Sequence, residues 1–227
     1  MSGVWTWLTD SAHWKGSDGI GVLLAQHTLL TLVAVAGAAL VGLPVALYLG
    51  HQHRGGTLAV NLSNIGRAIP IVALLSLLSL GAIGSADFGP FGRAGLATLI
   101  TLGLFALPAI ITNAYTGVVE VDPDTVEAAR GMGMSPWQVL LRVELPLATA
   151  LITTGLRLAV VQVWATATIA ALVAGPGLGQ IITEGYNTNS QPEVISGALI
   201  VGGIALLLEI AMALLQRIVD PVARAVR

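Results

Sequence analysis

The chain has 227 residues, 55% of them hydrophobic and only 10% charged, with a formal net charge of −2 at pH 7 and a mean hydropathy of +0.85. An ordinary soluble domain is about 25% charged, and a nucleic-acid binder needs a basic face. Composition therefore excludes a soluble enzyme, a disordered chain and a nucleic-acid binder, and leaves a membrane protein. Cysteine is absent, which removes disulfides, thiolate metal sites and cysteine nucleophiles.

Residues 1–19 have no basic start and no apolar core long enough for a cleavable signal peptide. Trp5, Trp7 and Trp14 predict an interfacial segment on the bilayer surface. Beyond it, no Asp, Glu, Lys or Arg lies between Asp18 and Arg54, Arg67 and Asp87, Arg93 and Glu120, Arg157 and Glu184, or Glu193 and Glu209. A membrane-spanning helix needs roughly 20 mostly apolar residues. The gaps predict an all-α integral membrane protein with about five spans, six being the alternative, near 21–50, 61–81, 94–118, 147–174 and 196–219. The first is long enough to tilt. Its small residues Ala34, Ala38, Gly42 and Ala46 recur every fourth position and predict a close helix contact within the subunit. Pro44, Pro70 and Pro108 fall in the first three spans, where each removes a helix hydrogen bond.

Orientation follows from the basic residues. Arg54 lies in 51–60, Arg130 and Arg142 lie in 119–146, and Arg217, Arg224 and Arg227 lie at the C-terminal end. Five spans put these segments on one side and leave only Lys15 and Arg93 on the other, so the first group is cytoplasmic. The N-terminus is then outside and the C-terminus inside. Residues 1–19 form the outer segment, 20–219 the membrane domain and 220–227 a cytoplasmic tail. His51 and His53 are expected in water.

The segment 120–146, EVDPDTVEAARGMGMSPWQVLLRVELP, is the most polar stretch. Asp122-Pro123-Asp124 predicts a helix start, with Asp124 and Glu127 spaced as a capping box. Gly131 and Gly133 end that helix. Ser135-Pro136 starts a second one, with Gln138 in the box position, running to Leu145 before Pro146 opens the next span. Two short helices joined at a glycine turn make a compact knob. Small residues at Ala128, Ala129 and Gly133 would let another protein approach closely.

Two charges fall within spans, where ionised groups are costly and face protein or water. Arg157 lies ten residues beyond Leu147, and Glu209 lies ten before Val219. Each is roughly 15 Å from the cytoplasmic end at about 1.5 Å per residue. Equal depth predicts an Arg157–Glu209 pair, within a subunit or across a dimer. Tyr115 and Trp164, two of the few aromatics inside spans, are candidates for lining a pathway, with core packing the plainer role for Trp164.

The residues of the loop resemble a known motif. Glu127-Ala128-Ala129, Gly133 and Val143-Glu144-Leu145-Pro146 are spaced as in the EAA loop of ABC-importer permeases. Further stretches resemble the osmoprotectant branch, which imports glycine betaine, choline, carnitine and related compatible solutes. They include Asn64-Ile65-Gly66-Arg67-Ala68-Ile69-Pro70, Asn113-Ala114-Tyr115-Thr116-Gly117, Gly155-Leu156-Arg157 and Ala167-Thr168-Ile169-Ala170-Ala171-Leu172. The resemblance covers roughly residues 25–215. Gly175-Pro176-Gly177-Leu178-Gly179 and Arg67-Ala68 depart from that branch's usual Gly-Ala-Gly-Gly-Leu-Gly and Gln-Thr.

The resemblance implies a type I ABC-importer permease in which Glu127, Ala128, Ala129 and Gly133 transmit the closure of an ATPase to the membrane helices. It implies three protein partners in a bacterial inner membrane. These are a cytoplasmic ATP-binding subunit carrying ATP and Mg, a second permease subunit, and an extracytoplasmic substrate-binding protein. The residues agree that ATP sits elsewhere. A phosphate-binding loop needs G-x-x-x-x-G-K-[ST], and the only lysine is Lys15, followed by Gly16. No H-E-x-x-H or G-x-S-x-G occurs, and the four histidines are not spaced as metal ligands. The chain is therefore predicted to hold no catalytic residue, cofactor or metal. Its scattered aromatics do not suggest a cation–π cage, which leaves solute capture to the binding protein. The alternatives are an ABC permease for amino acids, taurine or methionine, an ion-coupled secondary transporter, or a membrane enzyme. A secondary transporter would need midplane carboxylates, and only Glu209 qualifies.

Overall fold

A computed structural model of the chain describes residues 2–56, 61 and 68–219. Among these residues the secondary structure is entirely helical. A short helix α1 (Ser2–Thr9) precedes the long α2 (Ile20–His51). Next come α3 (Ile71–Leu80) and α4 (Gly95–Val119). The loop helices are α5 (Pro123–Gly131) and α6 (Pro136–Val139), followed by α7 (Leu145–Thr166), α8 (Gly179–Asn187) and α9 (Gln191–Val219).

Four helical stretches among the described residues are long and apolar enough to cross a membrane: Ile20–His51, Gly95–Val119, Pro136–Val173 and Gln191–Val219. Within the span expected at 61–81, the described residues include α3, which is ten residues long. Pro70 is its N-cap, so this proline stands at the start of α3, whereas Pro44 and Pro108 lie inside helices. Residues 62–67, with Arg67 and most of the Asn64–Pro70 stretch, lie outside the described residues, as does the tail 220–227.

The fourth span differs from its expected bounds. The chain passes from α6 through a π-helical stretch, Leu140–Glu144, directly into α7. Pro146 causes no break. A proline lacks the N–H that an α-helix needs, and the wider π turn, in which Leu145 N–H donates to Leu140 O, absorbs that loss. Beyond Thr166 the helix tightens into 3₁₀ geometry at Ala167–Val173.

The centre of the bundle is α2, α4 and α7. Leu30, Ala38, Leu102, Ala106, Ile110, Ala159 and Val163 form its main apolar cluster. Small residues set the spacing. Ala34, Ala38, Gly42 and Ala46 are all buried, and a Cβ on Gly42 would meet Leu107, Ile111 and Ile110 at 3.2–3.4 Å. The four-residue repeat is therefore a seam within the subunit, against α4. Gly155 does the same for α7, where a Cβ would meet Ala109 O at 2.9 Å and Asn113 Cβ at 2.8 Å.

The N-terminal segment folds onto the bundle through α1 and α9. Trp5 is largely exposed. Trp7 stacks on His13 at 4.2 Å, and Trp14 Nε1 donates to Leu8 O at 2.8 Å.

Candidate functional site

The loop of 120–144 folds into the two-helix knob its residues predict. Asp122, not Asp124, caps α5 by accepting from Asp124 N–H at 3.1 Å, with Pro123 in the first turn. The α5 end is a Schellman turn. Gly133 N–H donates to Arg130 O at 2.9 Å and Met134 N–H to Ala129 O at 3.2 Å. Gly133 takes φ +86°, where a side chain would be strained. Ser135 and Gln138 form the full capping box at the start of α6. Val121, Val126, Ala129 and Val139 close a small core beneath the turn.

This core divides the four loop residues. Glu127, Ala128 and Gly133 are exposed. Ala129 is 2% exposed and packs inward, so it sizes the knob's core instead of offering a surface for approach.

Under the knob lies a contact that sequence reasoning missed. His51, the last residue of α2, places Nδ1 2.6 Å from Glu144 Oε2. The side chains are only 9% and 1% exposed. The expectation of a solvated His51 is thus wrong, because the end of α2 packs over the π stretch and covers the ring. Glu144 Oε1 is buried without a partner among the described residues. The contact also puts the segment after α2 at the same end of the bundle as the knob.

Arg157 on α7 and Glu209 on α9 meet within the subunit. Arg157 Nε donates to Glu209 Oε1 at 2.9 Å, and Nη2 donates to the same oxygen. Nη1 donates to Gln216 Oε1 at 3.3 Å. Gln216 Nε2 in turn donates to Thr154 Oγ1 at 2.8 Å and Ala150 O at 3.2 Å. The two charged side chains remain 30% and 38% exposed.

The aromatic candidates separate. Trp164 is 1% exposed, so it does not line an open path. Its Nε1 donates to Val201 O at 3.0 Å and its ring meets His27 edge-on at 4.4 Å. His27 is buried and both ring nitrogens are used. Leu178 N–H donates to Nδ1 at 3.2 Å, so Nε2 carries the proton given to Trp164 O at 2.9 Å. Gly177, at φ +113°, leaves no room for a side chain against this ring. A histidine in an otherwise uncharged span was the available signal, since a polar group at that depth must find partners. Tyr115 is half-buried near the knob end, where a Cβ on Gly56 would meet its hydroxyl at 2.5 Å.

The family model for the binding-protein-dependent transport system inner membrane component matches residues 38–225. The chain belongs to this family. It is therefore a permease component of a bacterial ABC importer, with a transport role and not a catalytic one. Among its relatives, the carnitine transport permease protein OpuCD of Listeria monocytogenes is 32% identical over 87% of this chain and 85% of its own length. The glycine betaine/carnitine/choline transport system permease protein OpuCD of Bacillus subtilis is 32% identical over 88% and 83%. The carnitine transport permease protein OpuCB of Listeria monocytogenes is 30% identical over 98% and 96%. Among solved structures, an inward-facing MetNI methionine ABC transporter chain aligns with a TM-score of 0.72 and 21% identity, over 88% of this chain and 95% of that one. That likeness establishes the type I importer fold.

Proposed function

We propose that this permease forms half of the pathway of an ATP-driven importer for compatible solutes of the glycine betaine, carnitine and choline class. The observation that carries the reading is the match, over most of both chains, to permeases whose names give those solutes. In this reading an ATPase subunit docks at the knob's exposed Glu127, Ala128 and Gly133, a second permease completes the pathway, and a binding protein delivers solute from outside. ATP and Mg belong to the ATPase. The knob end is cytoplasmic, as the basic residues suggest, and the N-terminus lies outside.

The geometry of the knob supports this coupling role. The knob is rigid, because both its helices are capped and share one core. It continues without a break into α7, and Glu144 joins it to α2. Movement of the knob with the ATPase therefore moves both helices, and through them the face that holds Arg157. Tyr115 is the remaining aromatic candidate near the pathway.

The test is uptake in bacterial cells that lack their own osmoprotectant importers and express this chain with its companion subunits. Accumulation of labelled glycine betaine, carnitine or choline under osmotic stress is expected. Import of methionine or taurine, with none of the three solutes, would refute the assignment.

A further inference from the structure

The Arg157–Glu209 pair sits at a depth where exposed charge is hard to tolerate. Arg157 lies twelve residues into α7 and Glu209 ten before the end of α9, roughly 15–18 Å from the knob end of the bundle. Charged side chains at that depth face protein or water, not hydrocarbon. Yet about a third of each side chain is open on this subunit.

The rest of α9 shows which surface is open. Leu206, Leu207, Ile210 and Leu214 form an exposed apolar face suited to lipid. Glu209 and Gln216 lie seven residues apart on another face, flanked by Ala205 and Ala213. The polar stripe continues on α7 through Ala150 O, Thr154 and Arg157. The lipid face and the polar seam are thus separate on one helix.

The pair also keeps binding capacity in reserve. Both short contacts from Arg157 end on Glu209 Oε1, and Oε2 has no partner among the described residues. Gln216 anchors the guanidinium from the far side. A cation and an anion held side by side, each with an unused valence, match a small zwitterion. Such a solute presents a carboxylate and an ammonium a few ångströms apart. It could exchange partners with the pair while the site stays neutral overall, avoiding the cost of an isolated charge in a low-dielectric setting.

We propose that Arg157 and Glu209 form a solute-contact site on the translocation pathway, Arg157 taking the carboxylate of a zwitterionic solute and Glu209 its quaternary ammonium. The site sets preference between zwitterions and simple cations, because choline has an ammonium and no carboxylate. This inference rests on the proposed solute class.

The test uses the complete importer, reconstituted with its ATPase, second permease and binding protein, and measures import of glycine betaine, carnitine and choline side by side. Arg157→Gln is expected to lower import of the two zwitterions roughly tenfold or more, the scale of one lost charge-assisted hydrogen bond, with a much smaller effect on choline. Glu209→Gln should lower all three. Arg157→Lys keeps the cation and should retain most zwitterion import. Equal losses for all three solutes in Arg157→Gln, with the complex intact by size-exclusion chromatography, would overturn the assignment. Dissociation of the complex in both Arg157→Gln and Arg157→Lys would identify a subunit contact instead and also overturn it. If the unmodified importer moves none of the three solutes, the proposed function fails, and this site fails with it.

Discussion

Glu144, in the π-helical stretch under the knob, and His51, at the end of the first long helix, meet at 2.6 Å and are almost wholly buried. Their contact ties the loop that carries the knob to a span 93 residues away in sequence. Replacing His51 with alanine would leave both buried side-chain oxygens of Glu144 without a partner among the described residues, a loss of about 1–3 kcal/mol for a buried polar group deprived of its hydrogen bond. His51→Gln keeps a donor and should cost less. Unfolding in detergent, followed by titration with a denaturing surfactant, should rank wild type, His51→Gln and His51→Ala in that order. Equal stability for all three would show that the pair holds nothing together.

Gly133 should be the most sensitive point of the knob. Its φ of +86° strains any side chain by about 1–2 kcal/mol, and its surface is open for docking. Gly133→Asp is expected to insert normally into the membrane but to lose co-purifying ATPase subunit and solute uptake. Pull-down of the ATPase from membranes reads this directly, and undiminished capture with normal uptake would remove the knob from the coupling path.

The seam between α2 and α4 distinguishes two glycines of one helix. A Cβ on Gly42 would press on Leu107, Ile110 and Ile111, whereas one on Gly37 would meet nothing within 4 Å. Gly42→Leu should overpack the seam and cost roughly 1–3 kcal/mol. Gly37→Ala should be neutral or slightly stabilising, as alanine favours helix by up to about 1 kcal/mol. Thermal aggregation of the two purified variants provides the comparison.

Trp164 should behave as a core residue. Trp164→Phe removes the hydrogen bond to Val201 O, a loss of about 0.5–1.5 kcal/mol, while Trp164→Ala removes the ring itself at about 3–5 kcal/mol. Both should lower stability without altering the order in which solutes are preferred. A changed solute preference in Trp164→Phe, measured by competition for uptake, would return this residue to the pathway.

Much of this arrangement is legible in the residues alone, for local reasons. Charge-free gaps locate spans because ionised groups avoid hydrocarbon, and helix rise converts sequence distance into depth, which brings Arg157 opposite Glu209. Pro123, Gly133 and the Ser135–Gln138 box mark the knob because each acts on its own backbone. Tertiary choices are less visible. His51 reads as a loop residue until α2 is laid over the π stretch, and Ala129 looks as exposed as Ala128 until the knob's core is built. The π turn itself has only Pro146 as a signal, and that proline reads equally well as a helix start. An aromatic such as Trp164 has the same sequence signature in a core or along a pathway.

The most direct measurement is ATP hydrolysis by the full importer in proteoliposomes, with binding protein loaded in turn with glycine betaine, carnitine, choline, methionine or taurine. Stimulation by one or more of the first three, abolished by Gly133→Asp in this chain, is the expected result. Stimulation by methionine or taurine with no response to the quaternary ammonium solutes, or a full response in the Gly133→Asp importer, would contradict it.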